Sequence, residues 1–160
     1  MPNWCQNVVT LHHSDVDMIN RAVAAYNEDK LFNEFVPCPP EQEENWYNWN
    51  LSNWGTKWEA RGADDVERTD TNTIQLFYET AWSPPIEFYN SLVELGFEVS
   101  AYYYEPGMQF CGHYDIDYDD QYNINGNSEW VENNIPEIIN DMFGISESMK
   151  EWEEEDNDEE

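Results

Sequence analysis

The stretch TIQLFYETAWSPPIEFYNSLVELGFEVSAYYY, residues 73–104, decides the fold. Residues 73–80 alternate, with Ile74, Leu76 and Tyr78 on one face, which is the period of a half-buried strand. Trp82-Ser83-Pro84-Pro85 reads as a helix start, with Ser83 a candidate cap and proline in the first turn. That helix runs through Phe88, Leu92 and Leu95, and Gly96 supplies its stop. Phe97 to Tyr104 is a second strand, so the stretch is one strand–helix–strand unit.

Working upstream, a similar unit recurs. Residues 5–13 (CQNVVTLHH) read as a strand. Ser14 caps a helix over 15–27, whose apolar positions Val16, Ile19, Val23 and Tyr26 recur at helical spacing, with Asp15 and Asp17 favoured by the dipole of the first turn. Pro37-Cys38-Pro39-Pro40 ends regular structure. Residues 39–55 form a Trp- and Asn-rich connection, too long and aromatic for a simple turn, expected to pack over one side of the core. Thr56 to Ala60 is read as a short strand, and 61–72 as a charged hairpin connection.

Downstream, Glu105-Pro106-Gly107 suits a type II turn leading to a partner strand over Met108 to Asp117. Trp130 to Phe143 is expected as one further helix, with Ile135, Ile138, Ile139 and Met142 on one face and Pro136 near its start. Eight of the last ten residues are acidic, so 146–160 reads as a solvated, flexible tail. The fold class is therefore α+β: a ferredoxin-like split βαβ sandwich with an added hairpin strand and an extra C-terminal helix. It occupies residues 1–145 as a single domain, with 111–145 an acidic extension.

The charge is extreme. Among 160 residues, 35 Asp and Glu face 6 Lys and Arg, a net of −29, where small domains usually carry a magnitude of about 2–8. Residues 111–160 hold 17 of the acids and one base. Phosphate backbones and anionic membranes would repel such a chain, while basic surfaces would attract it. Aromatic residues at 16% supply core area without disulfides. Cys5, Cys38 and Cys111 form an odd set without CxxC spacing, and no signal or membrane-spanning run is evident, so cytosol with reduced thiols is expected.

Four segments are unusual: Met1-Pro2-Asn3-Trp4-Cys5-Gln6-Asn7; Asn53-Trp54-Gly55-Thr56-Lys57-Trp58-Glu59; Thr80-Ala81-Trp82-Ser83-Pro84-Pro85; and Tyr104-Glu105-Pro106-Gly107-Met108-Gln109-Phe110-Cys111-Gly112. In this order they resemble the YubB-type ferredoxin-like family of phages, plasmids and bacteria, over residues 1–118. The resemblance implies a ferredoxin-like topology without an iron–sulfur cluster and a mobile-element origin. It implies no catalytic residues.

The candidate sites follow. Trp4, Trp54, Trp58 and Trp82 are either core and loop anchors or a stacking surface, and Trp54, Lys57, Trp58 and Trp82 are a possible pocket. Lys57 reads most simply as the partner of a carboxylate. Cys111 and His113, with Cys5 or His12, would be a zinc set only without the usual paired-ligand spacing, and a Cys–His nucleophile pair lacks an orienting group. Asp115, Asp117 and Asp119 alternate with Tyr114, Ile116 and Tyr118, which on one strand would set a carboxylate row at roughly 6.6–6.8 Å spacing. Such a row could stand in for phosphates, or simply protect a sheet edge.

The expected function is that of a non-enzymatic, acidic phage-type protein in the host cytosol, without a cofactor and without direct nucleic-acid binding. It would cover the basic groove of a nucleic-acid-binding or defence protein. The contacts would be Asp115, Asp117, Asp119, Asp120, Glu129, Glu132, Glu151, Glu153, Glu154, Glu155 and Asp156. The alternatives are an enzyme centred on Trp82, Lys57, Cys111 and His113, and an accessory phage protein whose acidity only serves solubility.

Overall fold

A computed structural model describes residues 2–62 and 64–158. In chain order its elements are β1 (Trp4–His12), α1 (Val16–Asn27), α2 (Leu31–Phe35), a 3-10 turn (Pro40–Asn45), α3 (Trp46–Asn53), β2 (Arg61–Gly62), β3 (Glu67–Asp70) and β4 (Thr73–Ala81). Then follow α4 (Ile86–Glu94), β5 (Glu98–Glu105), β6 (Phe110–Asp115), β7 (Tyr118–Asn123), α5 (Ser128–Asn134), α6 (Glu137–Phe143) and α7 (Ile145–Asp158).

All strands pair antiparallel. The order is β2-β4-β1-β5-β6-β7, with β3 also on β4. The crossover β1–α1–β3 skips one position, which β4 fills. The crossover β4–α4–β5 skips another, which β1 fills. This interleaving is the ferredoxin-like split βαβ arrangement. The extension is larger than expected: two hairpin strands and three helices follow β5.

The sheet is covered on both faces. One face places Val9, Leu11, Ile74, Leu76, Tyr78 and Val99 against Ile19 and Ala22 of α1, Phe32 of α2, and Phe88 and Leu92 of α4. The ring of Phe32, fully buried, meets Phe88 at 4.5 Å and Trp54 at 5.6 Å. The second face, at the β5–β7 end, packs Cys111 with Ile124, Val131, Ile135, Ile139 and Ile145. Burying an aliphatic side chain is worth about 1.5–3 kcal/mol, so this second cluster explains why the C-terminal helices dock.

Several local expectations are corrected. Residues 56–60 form no strand, because side chains claim their polar groups: Thr56 Oγ1 donates to the Ala81 carbonyl and Asn50 Nδ2 to that of Lys57. The Glu59 carboxylate accepts from the backbone N–H of Phe32 and Asn33. The ladder partners of β4 are instead β2 and β3, inside the segment read as a connection. The cap of α1 is Asp15, which accepts from Asp17 N–H, rather than Ser14. Ser83 does not cap α4; its hydroxyl donates to the Gly55 carbonyl.

The turn after β5 is not type II at Gly107, since the left-handed residue is Gln109. The buried Glu105 carboxylate builds it by accepting from Gly107 and Met108 N–H at 2.6 and 2.9 Å. The expected helix over 130–143 is two helices, because Pro136 offers no N–H and holds Ile135 extended. Ile135 and Ile139 are buried while Ile138 and Met142 are exposed. Of the loose tail expected over 146–160, the residues up to Asp158 belong to α7: Ile145 and Met149, four apart, pack on the second cluster. No described helix is long and apolar enough to cross a membrane.

Candidate functional site

The expected carboxylate row does not exist as drawn. Asp115 ends β6, Ile116-Asp117 is a two-residue turn, and Asp119 and Asp120 lie on the returning β7. The alternation read as one strand is therefore a hairpin tip. Ile116 and Tyr118 are exposed rather than inward, and only Tyr114 of the trio is buried. Asp119 and Asp120 point to opposite faces of the sheet. Asp119 accepts from the Tyr103 hydroxyl, and Asp115 from the Ile116 N–H.

The other predicted acids gather on the helical cap. Glu129 and Glu132 stand exposed on α5, where Glu132 pairs with Lys150. Glu151, Glu154, Glu155 and Asp156 are exposed on α7. Glu153 is different: its oxygens accept from the Ser128 N–H and hydroxyl at 2.9 and 2.7 Å, clamping α7 to the start of α5. These two donors hold its carboxyl below the usual range. It therefore has a structural duty at this junction.

The cap brings in acids that were not singled out from sequence. Glu137, Asp141 and Glu147 line a cleft with Glu132, Asn140, Ser146 and Lys150 between the three helices. Gly144 turns the chain there with a left-handed φ of 60°. The Asn140 side chain then bonds Ser146 twice, tying the end of α6 to the start of α7. Over residues 128–158 there are eleven acids and one base. Only the skewed charge of the last third signalled this surface; the cleft itself required the elbow at Gly144.

The proposed Trp pocket divides. Trp54 is a core plug: its indole N–H donates to the Val36 carbonyl at 2.9 Å, and its ring packs on Phe32 and Trp49. Lys57 is not in an ion pair with any carboxylate among the described residues. Its ammonium sits over Trp58 at 4.4 Å and Tyr47 at 5.3 Å instead. Trp58 also meets Trp4 at 6.1 Å, and Arg61 lies over Trp4 at 5.1 Å. Trp82 is 47% exposed with a φ of 69°, unusual for a bulky residue.

The motif segments converge near these residues. The Asn3 carbonyl accepts from Trp82 N–H, and the Trp54 carbonyl from Phe88 N–H. Gly55, with φ at 84°, brings its Cα so close to α4 that an added methyl would stand 3.1 Å from Ile86 N. Behind them Asn7 donates to Thr80 Oγ1 and the Cys5 carbonyl, and the Tyr78 and Tyr89 hydroxyls bond at 2.8 Å. Much of the motif chemistry is thus a buried hydrogen-bond network.

The four residues of the enzyme reading do not form one neighbourhood. Cys111 and His113 lie on β6, three strand spacings from β4, or roughly 14 Å, where Trp82 follows. Cys111 is sealed in the second cluster, and burial pushes its thiol up to about 11. Cys5 faces the opposite side of the sheet, so the two sulfurs cannot share a metal. Burial, with nearby Glu105, raises the Cys5 thiol well above its ordinary value. Among the described residues no group of His, Cys, Asp and Glu is arranged to hold a metal.

His113 stacks flat on Tyr102 at 4.0 Å. Its Nε2 lies 2.8 Å from Ser100 Oγ and its Nδ1 3.1 Å from the Tyr118 hydroxyl. Burial lowers its basicity, and Asp115, Asp120 and Asp119 pull the other way.

No family model matches the sequence, and no curated protein matches it. Among solved structures it is similar to a protein api92 from Yersinia pseudotuberculosis, at 19% identity and a TM-score of 0.45. The likeness covers 60% of this chain, which spans about 40% of that protein's length.

Proposed function

We propose that this chain is a non-enzymatic acidic binding protein of the YubB-type family, from a phage or related element. It would cover the nucleic-acid-binding surface of a basic host protein in the host cytosol. The observation that carries the reading is the cap: α7 is a helix fixed by Ile145, Met149 and Glu153, with Glu147, Glu151, Glu154, Glu155 and Asp156 exposed. Glu147, Glu151 and Glu155 recur every four residues, about 6 Å apart along the axis. That is close to two phosphate steps of about 3.4 Å on one strand of duplex DNA.

Fixed charges lower the ordering cost that a loose acidic tail would meet on binding. Each Lys or Arg of the partner that gives up a phosphate for a carboxylate keeps its neutralising contact. The hairpin acids Asp115, Asp117 and Asp120 lie on a separate tip and extend the same negative field.

The test uses the full chain on a support, exposed to host lysate at low and moderate salt, with duplex DNA as the eluting competitor. The expected result is capture of DNA-binding proteins that falls steeply with salt and is reversed by the duplex. A variant with Glu147→Gln, Glu151→Gln, Glu154→Gln, Glu155→Gln and Asp156→Asn, which spares Glu153, should lose capture. Salt-insensitive capture, or undiminished capture by this variant, overturns the proposal.

A further inference from the structure

We infer that the aromatic patch of Trp4, Tyr47, Lys57, Trp58 and Arg61 binds a small anion carrying a planar ring, of the size and charge of a nucleoside monophosphate. The site is separate from the acidic cap, and neither proposal depends on the other.

Two of the six basic residues meet here, in a chain with 35 acids. Arg21, Lys30 and Lys150 each hold a carboxylate, and Arg68 bonds Asn20 and the Thr71 carbonyl. Among the described residues Lys57 and Arg61 do neither. The ladder even sets Glu79 directly opposite Arg61, yet the guanidinium lies over the Trp4 ring rather than in an ion pair. A cation on a ring face keeps its outward N–H groups and most of its charge for another anion.

The rings supply the second half of the chemistry. Trp58 meets Trp4 at 6.1 Å with planes tilted by 36°, and Trp58 and Tyr47 stay 37% and 46% exposed. An exposed indole and an exposed phenol beside cations, with the half-buried Trp4 next to them, suit a flat ring joined to a phosphate, where stacking and charge act together. Two cations match the one or two charges of a monophosphate. A polynucleotide would place many more phosphates against a surface of net charge −29 and be repelled.

The patch also has a rigid base, as functional contacts require. Trp4 is on β1, Arg61 on β2 beside β4, and the Lys57 carbonyl is fixed by the Asn50 side chain.

The experiment follows the indole N–H signals of the full chain by NMR while adenosine 5′-monophosphate is added. The signals of Trp4 and Trp58 should shift and saturate with a Kd of about 1 mM or below, while that of the buried Trp54 stays. Adenosine or inorganic phosphate alone should bind about tenfold more weakly. Lys57→Gln and Arg61→Gln should each weaken the nucleotide about tenfold without moving Trp54, since each removes a charge-assisted contact. Absence of a saturable shift, equal affinity of these variants, or tighter binding of a twelve-nucleotide single strand overturns the assignment.

Discussion

The Tyr103 hydroxyl donates to Oδ1 of Asp119 at 2.7 Å. Tyr103 is on β5 and Asp119 on β7, so the bond spans β6, and the ring passes over Gly112 to make it. A methyl group on Gly112 would stand 2.4–2.5 Å from the Tyr103 ring end and 2.4 Å from the Asp120 carbonyl. Burial and the Asp119 bond raise the phenol well above its ordinary value, so it stays a proton donor. One tyrosine thus holds the hairpin tip to the sheet, and Asp119 has a structural duty before any partner arrives.

Gly112→Ala should therefore destabilise the protein by about 1–3 kcal/mol through overpacking against a fixed backbone oxygen. Tyr103→Phe should cost about 1 kcal/mol, the net worth of one hydrogen bond. Urea unfolding of both variants reads the two costs. A Gly112→Ala variant as stable as the parent would contradict this packing.

Glu153→Ala should release α7 from the start of α5. Hydrogen exchange should then quicken several-fold at the Ser128 amide and along residues 150–158, leaving β1 and β4 unchanged. The same clamp predicts an acid response. Its carboxyl titrates below the ordinary value in the folded state, so its stabilisation is present above about pH 4.3 and is lost as pH falls through the folded value. Protection of the Ser128 amide, taken relative to its intrinsic exchange rate at each pH, should fall across that window in the parent protein and stay level in the variant.

His113 should titrate below 6.5 in the folded protein, because burial between Tyr102 and Ser100 outweighs the nearby aspartates. A lowered folded value means the neutral ring is favoured. Its contribution is full above pH 6.5 and declines as pH falls toward the folded value, where the unfolded chain binds the proton first. A histidine titration by NMR gives the value directly, and Asp120→Asn should lower it further. A measured value above 6.5 would reverse the argument.

Thiol labelling should distinguish the cysteines. Cys38 is partly exposed, whereas Cys5 and Cys111 are buried and raised in pKa. At pH 8 one thiol should react with a disulfide reagent within minutes, and the other two only after unfolding. Prompt reaction of two thiols in the native protein would contradict the burial of Cys5 or of Cys111.

Much of the fold was legible where periodicity is local. The alternation of Ile74, Leu76 and Tyr78 and the helical spacing of Phe88 and Leu92 both became buried faces. Misreadings arose where a distant group overrode local pattern. Residues 56–60 look strand-like, but Thr56 and Glu59 spend their side chains on β4 and α2. The alternating acids at 115–119 look like one strand because a two-residue hairpin leaves little trace without glycine or asparagine at its tip.

The sequence by itself determined the ferredoxin-like order of strands and helices, since hydrophobic period, proline and glycine act within a few residues of where they stand. It also determined that negative charge is concentrated in the last third. Only the tertiary structure decided what that charge is attached to. Ile145 and Met149 are too few to predict a helix among so many repelling carboxylates. They become sufficient once Cys111, Val131 and Ile139 offer a second apolar surface and Ser128 donates its N–H and hydroxyl to Glu153. Likewise, nothing local distinguishes Lys57 or Arg61 from a salt-bridged base; the rings that hold them come from β1, α3 and the segment before β2. Trp58 is the next residue to Lys57, but Tyr47 reaches Lys57 and Trp4 reaches Arg61 only because the fold brings those segments together.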